Sequence, residues 1–194
     1  MASAPRGSNA ARPPMKLGAG LALGLALAGL SACGSTPDEA EAGGPANPCP
    51  AVSVLADAAS LVRFKDGAAR TPDDILYEVE VIDAKGLCEP AMNGQVSAEV
   101  GISLFVRRGP AGKELTSVSV PFFVALTETN TRVLSRASYE TEIPLAAGKS
   151  SGGVVEHLTV SVPLDGKSPY AYEIIGGIQL SAAELADERR RRGK

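Results

Sequence analysis

Apolar and polar residues alternate with a period of two along most of the chain after residue 48. The clearest run covers residues 95–106, in which every second residue from Val96 to Val106 is apolar. Successive side chains of a strand point to opposite faces, so this spacing predicts a strand with one buried face, and helical spacing does not fit it. Similar alternation predicts six further strands, at residues 52–55, 75–81, 118–126, 131–143, 154–163 and 170–180.

Turn-forming residues separate the predicted strands. They are Lys85-Gly86, Asn93-Gly94, Arg108-Gly109-Pro110, Asn130, Gly148-Lys149 and Asp165-Gly166. About seven antiparallel strands predict an all-β domain over residues 49–181, a two-sheet sandwich of the immunoglobulin or fibronectin type III kind. A small closed β-barrel is the alternative architecture. Pro121 and Pro163 have no N–H, so each is expected at a sheet edge, a bulge or a strand end.

The first residues have the pattern of an export signal. Arg6, Arg12 and Lys16 precede an apolar run over residues 17–30, and no acidic residue occurs there. That run is shorter than the roughly 20 residues needed to span a bilayer, but it suits the apolar region of a secretory signal peptide. We therefore predict a signal peptide over residues 1–32.

The end of this signal, Leu30-Ser31-Ala32-Cys33, resembles the lipobox of bacterial lipoproteins. The resemblance implies cleavage before Cys33 and acylation of that cysteine, which would give the protein an N-terminal lipid anchor in a membrane. Residue 34 is Gly, and the lack of Asp at that position favours release to the outer membrane, facing the periplasm. The inner membrane and the cell surface are the alternative locations. An ordinary signal peptide followed by a coincidental cysteine is the simpler alternative.

Further segments carry a resemblance. Residues 49–58, 61–64 and 177–185 are similar to a family of uncharacterised outer-membrane lipoproteins of alphaproteobacteria. The likeness implies a place in the cell envelope, and it implies neither an activity nor a functional residue.

The segments that flank the predicted sandwich differ from it in composition. Residues 33–48 are small, acidic or Pro/Gly-rich, which predicts a flexible tether. At the other end, Ser181 and Glu184 have the spacing of a capping box, so residues 182–194 are predicted to form a short helix followed by a basic tail. The tail, with arginines at 189–192, is expected either to be a solvated terminus or to touch an anionic surface.

Composition excludes several classes of function. A hydrophobic content of 44% argues against a disordered chain, and a net charge of −3 argues against a nucleic-acid partner. With one His in 194 residues, a multi-histidine metal site cannot form within one chain. The sequence predicts no cofactor and no metal site.

With Cys33 assigned to the lipid, Cys49 and Cys88 remain. An even pair in an exported domain is most simply a structural disulfide. A redox-active pair is the alternative, but the sequence has no Cys-x-x-Cys motif and no histidine near either cysteine.

Other polar residues give weaker signals of chemistry. Strand parity places His157 on an outer face, and neither a Gly-x-Ser-x-Gly nor a Ser-x-x-Lys motif is present. Carboxylates recur in pairs at Asp73/Asp74, Glu78/Glu80 and Glu140/Glu142, a pattern typical of charged strand faces as well as of cation sites. Gly176-Gly177 lacks nucleotide-binding spacing and indicates a bulge or a close backbone approach.

These observations favour a non-catalytic binding or assembly module of the cell envelope. The expected partner is an envelope protein or peptidoglycan, with residues 64–74 and 107–114 as candidate contact loops. A structural envelope protein that contacts peptidoglycan or another lipoprotein is the alternative function. A hydrolase is the third hypothesis, and it requires His157 to converge with a carboxylate or a serine in a deep pocket.

Overall fold

The alternating segments form eight strands within residues 48–129 and 132–193, the part of the chain that the computed structural model describes. The lipobox at residues 30–33, the predicted signal, nearly all of the tether, and residues 130, 131 and 194 lie outside the described residues. The strands are β1 (Ala51–Val54), β2 (Ser60–Phe64), β3 (Ile75–Cys88), β4 (Gln95–Arg108), β5 (Ser117–Glu128), β6 (Arg132–Pro144), β7 (Ser151–Pro163) and β8 (Tyr172–Ile178), and one α-helix follows, α1 (Ala182–Arg191).

The strands form two four-stranded sheets that pack face to face. Sheet A has the order β1-β8-β5-β6, and sheet B has the order β2-β3-β4-β7. The predicted two-sheet sandwich is therefore confirmed, and within the described residues the sheets do not close into the alternative barrel. One pair departs from the antiparallel prediction, because β1 runs parallel to β8.

The core lies between the inner faces of the two sheets and is mostly aliphatic. Val96 to Val106 of β4 is buried at every second residue, as the alternation predicts. Tyr172 is one of the few rings in the core, and its hydroxyl donates to the carbonyl of Leu164 at 2.8 Å, so its polar atom is satisfied. Interlocking Val, Ile and Leu side chains fill the space between two sheets without tryptophan.

The predicted turn at Lys85-Gly86 is wrong, because β3 runs through it to Cys88. Gly86 is needed there for a different reason. A Cβ at this position would lie 2.6 Å from Val52 Cγ2, so the glycine lets β1 of sheet A pass close to β3 of sheet B.

Pro121 also departs from prediction, since it lies within β5, between β6 and β8. Its missing N–H faces the place where β8 ends. β8 stops at Ile178, opposite Phe122, and the next residue, Gln179, donates its N–H to the Pro121 carbonyl at 2.8 Å. Because β8 has already ended at this point, no carbonyl of β8 is left without a partner by the missing N–H of Pro121.

Cys49 and Cys88 form the predicted disulfide, with their Cα atoms 5.5 Å apart. The bond joins Cys49, two residues before β1, to the last residue of β3. It therefore ties together the two sheets where the chain enters the sandwich. Within the described residues, no helix is long and apolar enough to cross a membrane.

Candidate functional site

Helix α1 covers the outer edge of β2 through a buried carboxylate. Ser181 and Glu184 form the predicted capping box, in which each side chain accepts from the other residue's N–H, at 3.3 and 2.8 Å. One turn further on, Glu188 is only 4% exposed. Its carboxylate accepts from the Val62 N–H at 3.2 Å and from the Ser60 hydroxyl at 3.1 Å. Glu188 thus satisfies a strand edge that would otherwise be open to another chain.

The predicted short helix includes the first arginines of the basic tail, since it continues past Glu188 and ends at Arg191. Their side chains return to the sandwich. Arg189 pairs with Asp57 at 2.9 Å, Arg191 lies over the Phe64 ring at 5.1 Å, and Arg192 donates to the Ser60 hydroxyl at 2.8 Å. In the described part of the tail, the arginines thus form an ordered helix end that is still exposed to solvent, and contact with an anionic surface stays a prediction.

An apolar groove lies on the outer face of sheet A, and we call it the outer groove. Its volume is about 400 Å³. Leu55 and Val133 stand at its rim with 45% and 62% of their surface exposed. Most of the lining is apolar side chains from β5, β8, the turn after β1 and the start of α1, namely Ala58, Phe123, Ala125, Ile175, Ile178, Leu180 and Leu185.

The floor of the outer groove is packed around the Phe123 ring. A Cβ on Gly177 would lie 2.9 Å from that ring and 3.0 Å from the Ala58 Cβ, so only glycine permits this packing. The predicted close backbone approach at Gly176-Gly177 is thus confirmed, while the alternative of a bulge is wrong because the β5–β8 register is continuous there. Sequence alternation had a signal for this groove that was missed: residues 122–126 are all apolar, which predicts burial on both faces of β5.

One charged side chain closes the rim of the outer groove. The Arg136 guanidinium lies over the Phe123 ring, 4.4 Å from its centroid, and also donates to the side-chain oxygen of Gln179. Stacking on the ring and one hydrogen bond hold the guanidinium across the mouth of an apolar surface. The groove therefore combines an apolar floor with a polar, hydrogen-bonding rim.

His157 lies on the outer face of sheet B, 64% exposed at its side chain, as strand parity predicts. Its Nδ1 is 3.4 Å from a carboxylate oxygen of Glu99. Gly101 pairs with both His157 and Lys85 in register, and the depression between them has a volume of about 470 Å³. Among the described residues His157 therefore meets a carboxylate, but the two side chains are 64% and 63% exposed and neither a Ser nor a Cys is hydrogen-bonded to His157, so the deep pocket that the hydrolase hypothesis requires is not seen there.

The paired carboxylates lie on separate surfaces and serve local contacts. Glu78 pairs with Arg107 at 3.2 Å, while Glu140 and Glu142 accept from the hydroxyls of Ser119 and Ser117 on the neighbouring strand. Asp74 caps the short 3-10 turn at Pro72–Asp74 through Thr71, whose hydroxyl and N–H hold the Asp74 pKa below its ordinary value. Across the described residues, no group of three or more His, Cys, Asp or Glu side chains is arranged to hold a metal ion.

The two predicted contact loops lie at the same end of the sandwich, where they are fixed by internal contacts. In the first, residues 64–74, Arg70 pairs with Asp187 of α1. The second, residues 107–114, is organised by Arg108, whose guanidinium donates to the carbonyls of Lys113 at 2.8 Å and Leu145 at 3.1 Å, and to that of Leu115. Arg108 thereby ties the β4–β5 loop to the β6–β7 loop, and its hydrogen bonds favour a structural role.

Comparison with protein-family models, with curated proteins and with solved structures found no match to this chain. We take the outer groove as the candidate site because its lining is mostly apolar and its rim carries the hydrogen-bonding side chains of Arg136 and Gln179.

Proposed function

We propose that this protein is an envelope lipoprotein, anchored through acylated Cys33 and facing the periplasm, that acts as a non-catalytic binding module. In this proposal the outer groove receives apolar side chains of an envelope protein. The observation that carries it is the apolar groove whose floor is packed around Phe123 and whose rim is exposed at Leu55 and Val133.

The chemistry of the groove favours a protein partner. Binding surfaces of proteins combine an apolar centre with a polar rim, and aromatic and arginine side chains are enriched in them. The outer groove has both features, since Phe123 forms its floor while Arg136 and Gln179 form its rim. A volume of about 400 Å³ accommodates a few side chains of a loop or a short peptide.

The location half of the proposal rests on residues 30–33 and is tested separately. Replacing Cys33 by Ser removes the thiol that would carry the lipid. We expect the parent chain to incorporate labelled palmitate and to sediment with membranes, and the Cys33→Ser variant to do neither. Equal labelling and equal membrane association of the variant would refute the anchor.

The binding half is tested by photo-crosslinking in intact cells. A photoreactive amino acid placed at Leu55 lies at the rim of the outer groove, and the same amino acid at Leu87 provides the control. Leu87 is 78% exposed on the outer face of sheet B, outside the groove. We expect a discrete crosslinked envelope protein from position 55 and not from position 87.

Two results would contradict the binding proposal. A product of equal yield from both positions would indicate nonspecific contact. A product from position 55 that contains peptidoglycan, with no protein, would replace the proposed partner by a glycan.

A further inference from the structure

The long free edge of sheet A is a second surface with specific chemistry, and it borders the outer groove at Arg136. β6 is an outer strand of 13 residues that pairs only with β5 within the described residues. By contrast, the edge of β2 is covered by α1 through Glu188, and the edge strand β1 has only four residues. An uncovered long edge is a template for pairing with another strand.

The hydrogen-bond phase identifies which backbone groups of β6 are open. Antiparallel pairs alternate between residues that bond to each other and residues that do not. The Leu145 N–H donates to the Thr116 carbonyl at 2.8 Å. Following the register from this pair, the odd-numbered residues of β6 as far as Ser135 are the ones that hydrogen-bond to β5. Residues 136, 138, 140 and 142 therefore direct their N–H and C=O groups away from β5, toward the free edge.

The charged side chains of β6 do not project over its free edge. Glu140 and Glu142 accept hydrogen bonds from the hydroxyls of Ser119 and Ser117 on β5, and the Arg136 guanidinium stacks on Phe123, also on β5. Edge strands are commonly protected by charges that project outward. Here the charges are held over the sheet, and the edge backbone between Arg136 and Glu142 is left accessible.

The order of the charges suits pairing of β6 with itself. In an antiparallel pair centred on Ser138, residue 136 of one strand faces residue 140 of the other. When the second copy binds, Arg136 and Glu140 turn from Phe123 and Ser119 toward each other, so that they meet twice across a two-fold axis. A centre at Arg136 or at Glu140 would instead oppose identical charges. We propose that β6 pairs antiparallel with β6 of a second copy of this chain, centred on Ser138, with Arg136 opposite Glu140 of the second copy.

This pairing gives every outward-directed backbone N–H and C=O of residues 136, 138 and 140 a hydrogen-bond partner. Ser138 exchanges two backbone hydrogen bonds with Ser138 of the second copy, and each Arg136–Glu140 pair exchanges two more. On the opposite face, Tyr139, which stacks on Phe122 with ring centroids 5.3 Å apart, lies beside Ala137 of the second copy. Sheet A thereby becomes one continuous eight-stranded sheet across two molecules.

A disulfide trap tests the register. Hydrogen-bonded antiparallel pairs place their Cα atoms about 5.5 Å apart, which lies within the range that a disulfide bridges. With mild oxidation of the full chain in detergent, Ser138→Cys should give at least tenfold more disulfide-linked dimer than the parent. Thr159→Cys, an exposed position on the free edge of β7, should stay at the parent level. Equal dimer yields from the two variants would overturn the proposal.

Charge reversal tests the pairing without a crosslinker. We expect Arg136→Glu or Glu140→Arg alone to weaken dimerisation about tenfold in analytical ultracentrifugation, since each replaces two attractive cross-strand pairs by two repulsive ones. The double variant restores the attraction and should return the dimer dissociation constant to within about threefold of the parent. The proposed β6–β6 pairing would be refuted by a monomeric parent, or by a double variant whose dimer dissociation constant is as high as that of either single variant.

Discussion

Glu188 is a charged side chain buried to 4% exposure, and it shows how one residue secures a strand edge. Its carboxylate receives the Val62 N–H and the Ser60 hydroxyl, and the Arg192 guanidinium donates to the same hydroxyl at 2.8 Å. A buried carboxylate is tolerated only when hydrogen bonds compensate its lost hydration. The buried acid and the strand edge therefore satisfy each other.

Replacing Glu188 by Ala should lower the free energy of unfolding by about 1–3 kcal/mol, because the partly buried Val62 N–H and Ser60 hydroxyl lose their acceptor. Glu188→Gln retains an acceptor oxygen and should cost less. Chemical denaturation measures both variants, and amide exchange at Val62 should accelerate in the Ala variant. Equal stability of the Ala variant and the parent would show that the helix does not protect the edge.

Glu128 supplies a pH-dependent contribution to stability. Hydrogen bonds from Lys167 and Arg132 hold its pKa below the ordinary value of 4.5. A depressed carboxyl pKa stabilises the fold above the unfolded value, and this stabilisation is lost as the pH falls through the folded value. Glu128→Gln should therefore have a lower Tm than the parent at neutral pH, with a gap that closes below pH 4.5.

The control for that experiment is Glu114→Gln, which replaces an exposed glutamate in the β4–β5 loop. It should change the Tm little at neutral pH. A gap between Glu128→Gln and the parent that stays constant from neutral to acidic pH would contradict the role given to the Lys167 and Arg132 contacts.

Single residues differ in how far the sequence reveals their roles. Cys49 and Cys88 could be paired in advance because only two cysteines remained after Cys33. The role of Glu188 could not be predicted, because its partners, Ser60 and Val62, lie in a strand more than 120 residues away in the sequence. Four arginines follow Glu188, and such a charged segment is typical of an exposed chain end.

At the level of elements, alternation located seven of the eight strands described, and it failed where a strand is covered on more than one side. β2, residues Ser60–Phe64, was missed because it is short and α1 packs against it, so it lacks a clean polar face. The parallel pairing of β1 with β8 was also missed. Periodicity determines which residues share a face, and it contains no information about which strands become neighbours.

The Cys49–Cys88 bond is the strongest single constraint between elements, since it closes a loop with a sequence separation of 39. In the chain-entropy description, removing such a crosslink costs about 4 kcal/mol because the unfolded chain gains freedom. The double variant Cys49→Ala/Cys88→Ala should show this loss in urea denaturation. Unchanged stability, or two free thiols in non-reducing mass spectrometry of the parent, would refute the bond's role.

For the whole molecule, the sequence predicted the architecture but not the distribution of its surfaces. The side of the sandwich formed by β1 and β2 is closed by the disulfide, by the turn after β1 and by α1. The outer groove and the free edges of β6 and β7 remain open. The groove depends on Phe123, Gly177 and Leu185, which meet only after the strands and α1 pack together.

The central claim, that the outer groove binds an envelope protein, is tested most directly by adding a charge to it. The measurement is the yield of the crosslink from position 55 in cells that carry either Val133→Asp or Val155→Asp. Val133 lies in the groove, whereas Val155, 52% exposed, lies on the outer face of sheet B. The account predicts at least a tenfold loss of yield with Val133→Asp and no loss with Val155→Asp. Equal yields from the two variants would contradict it.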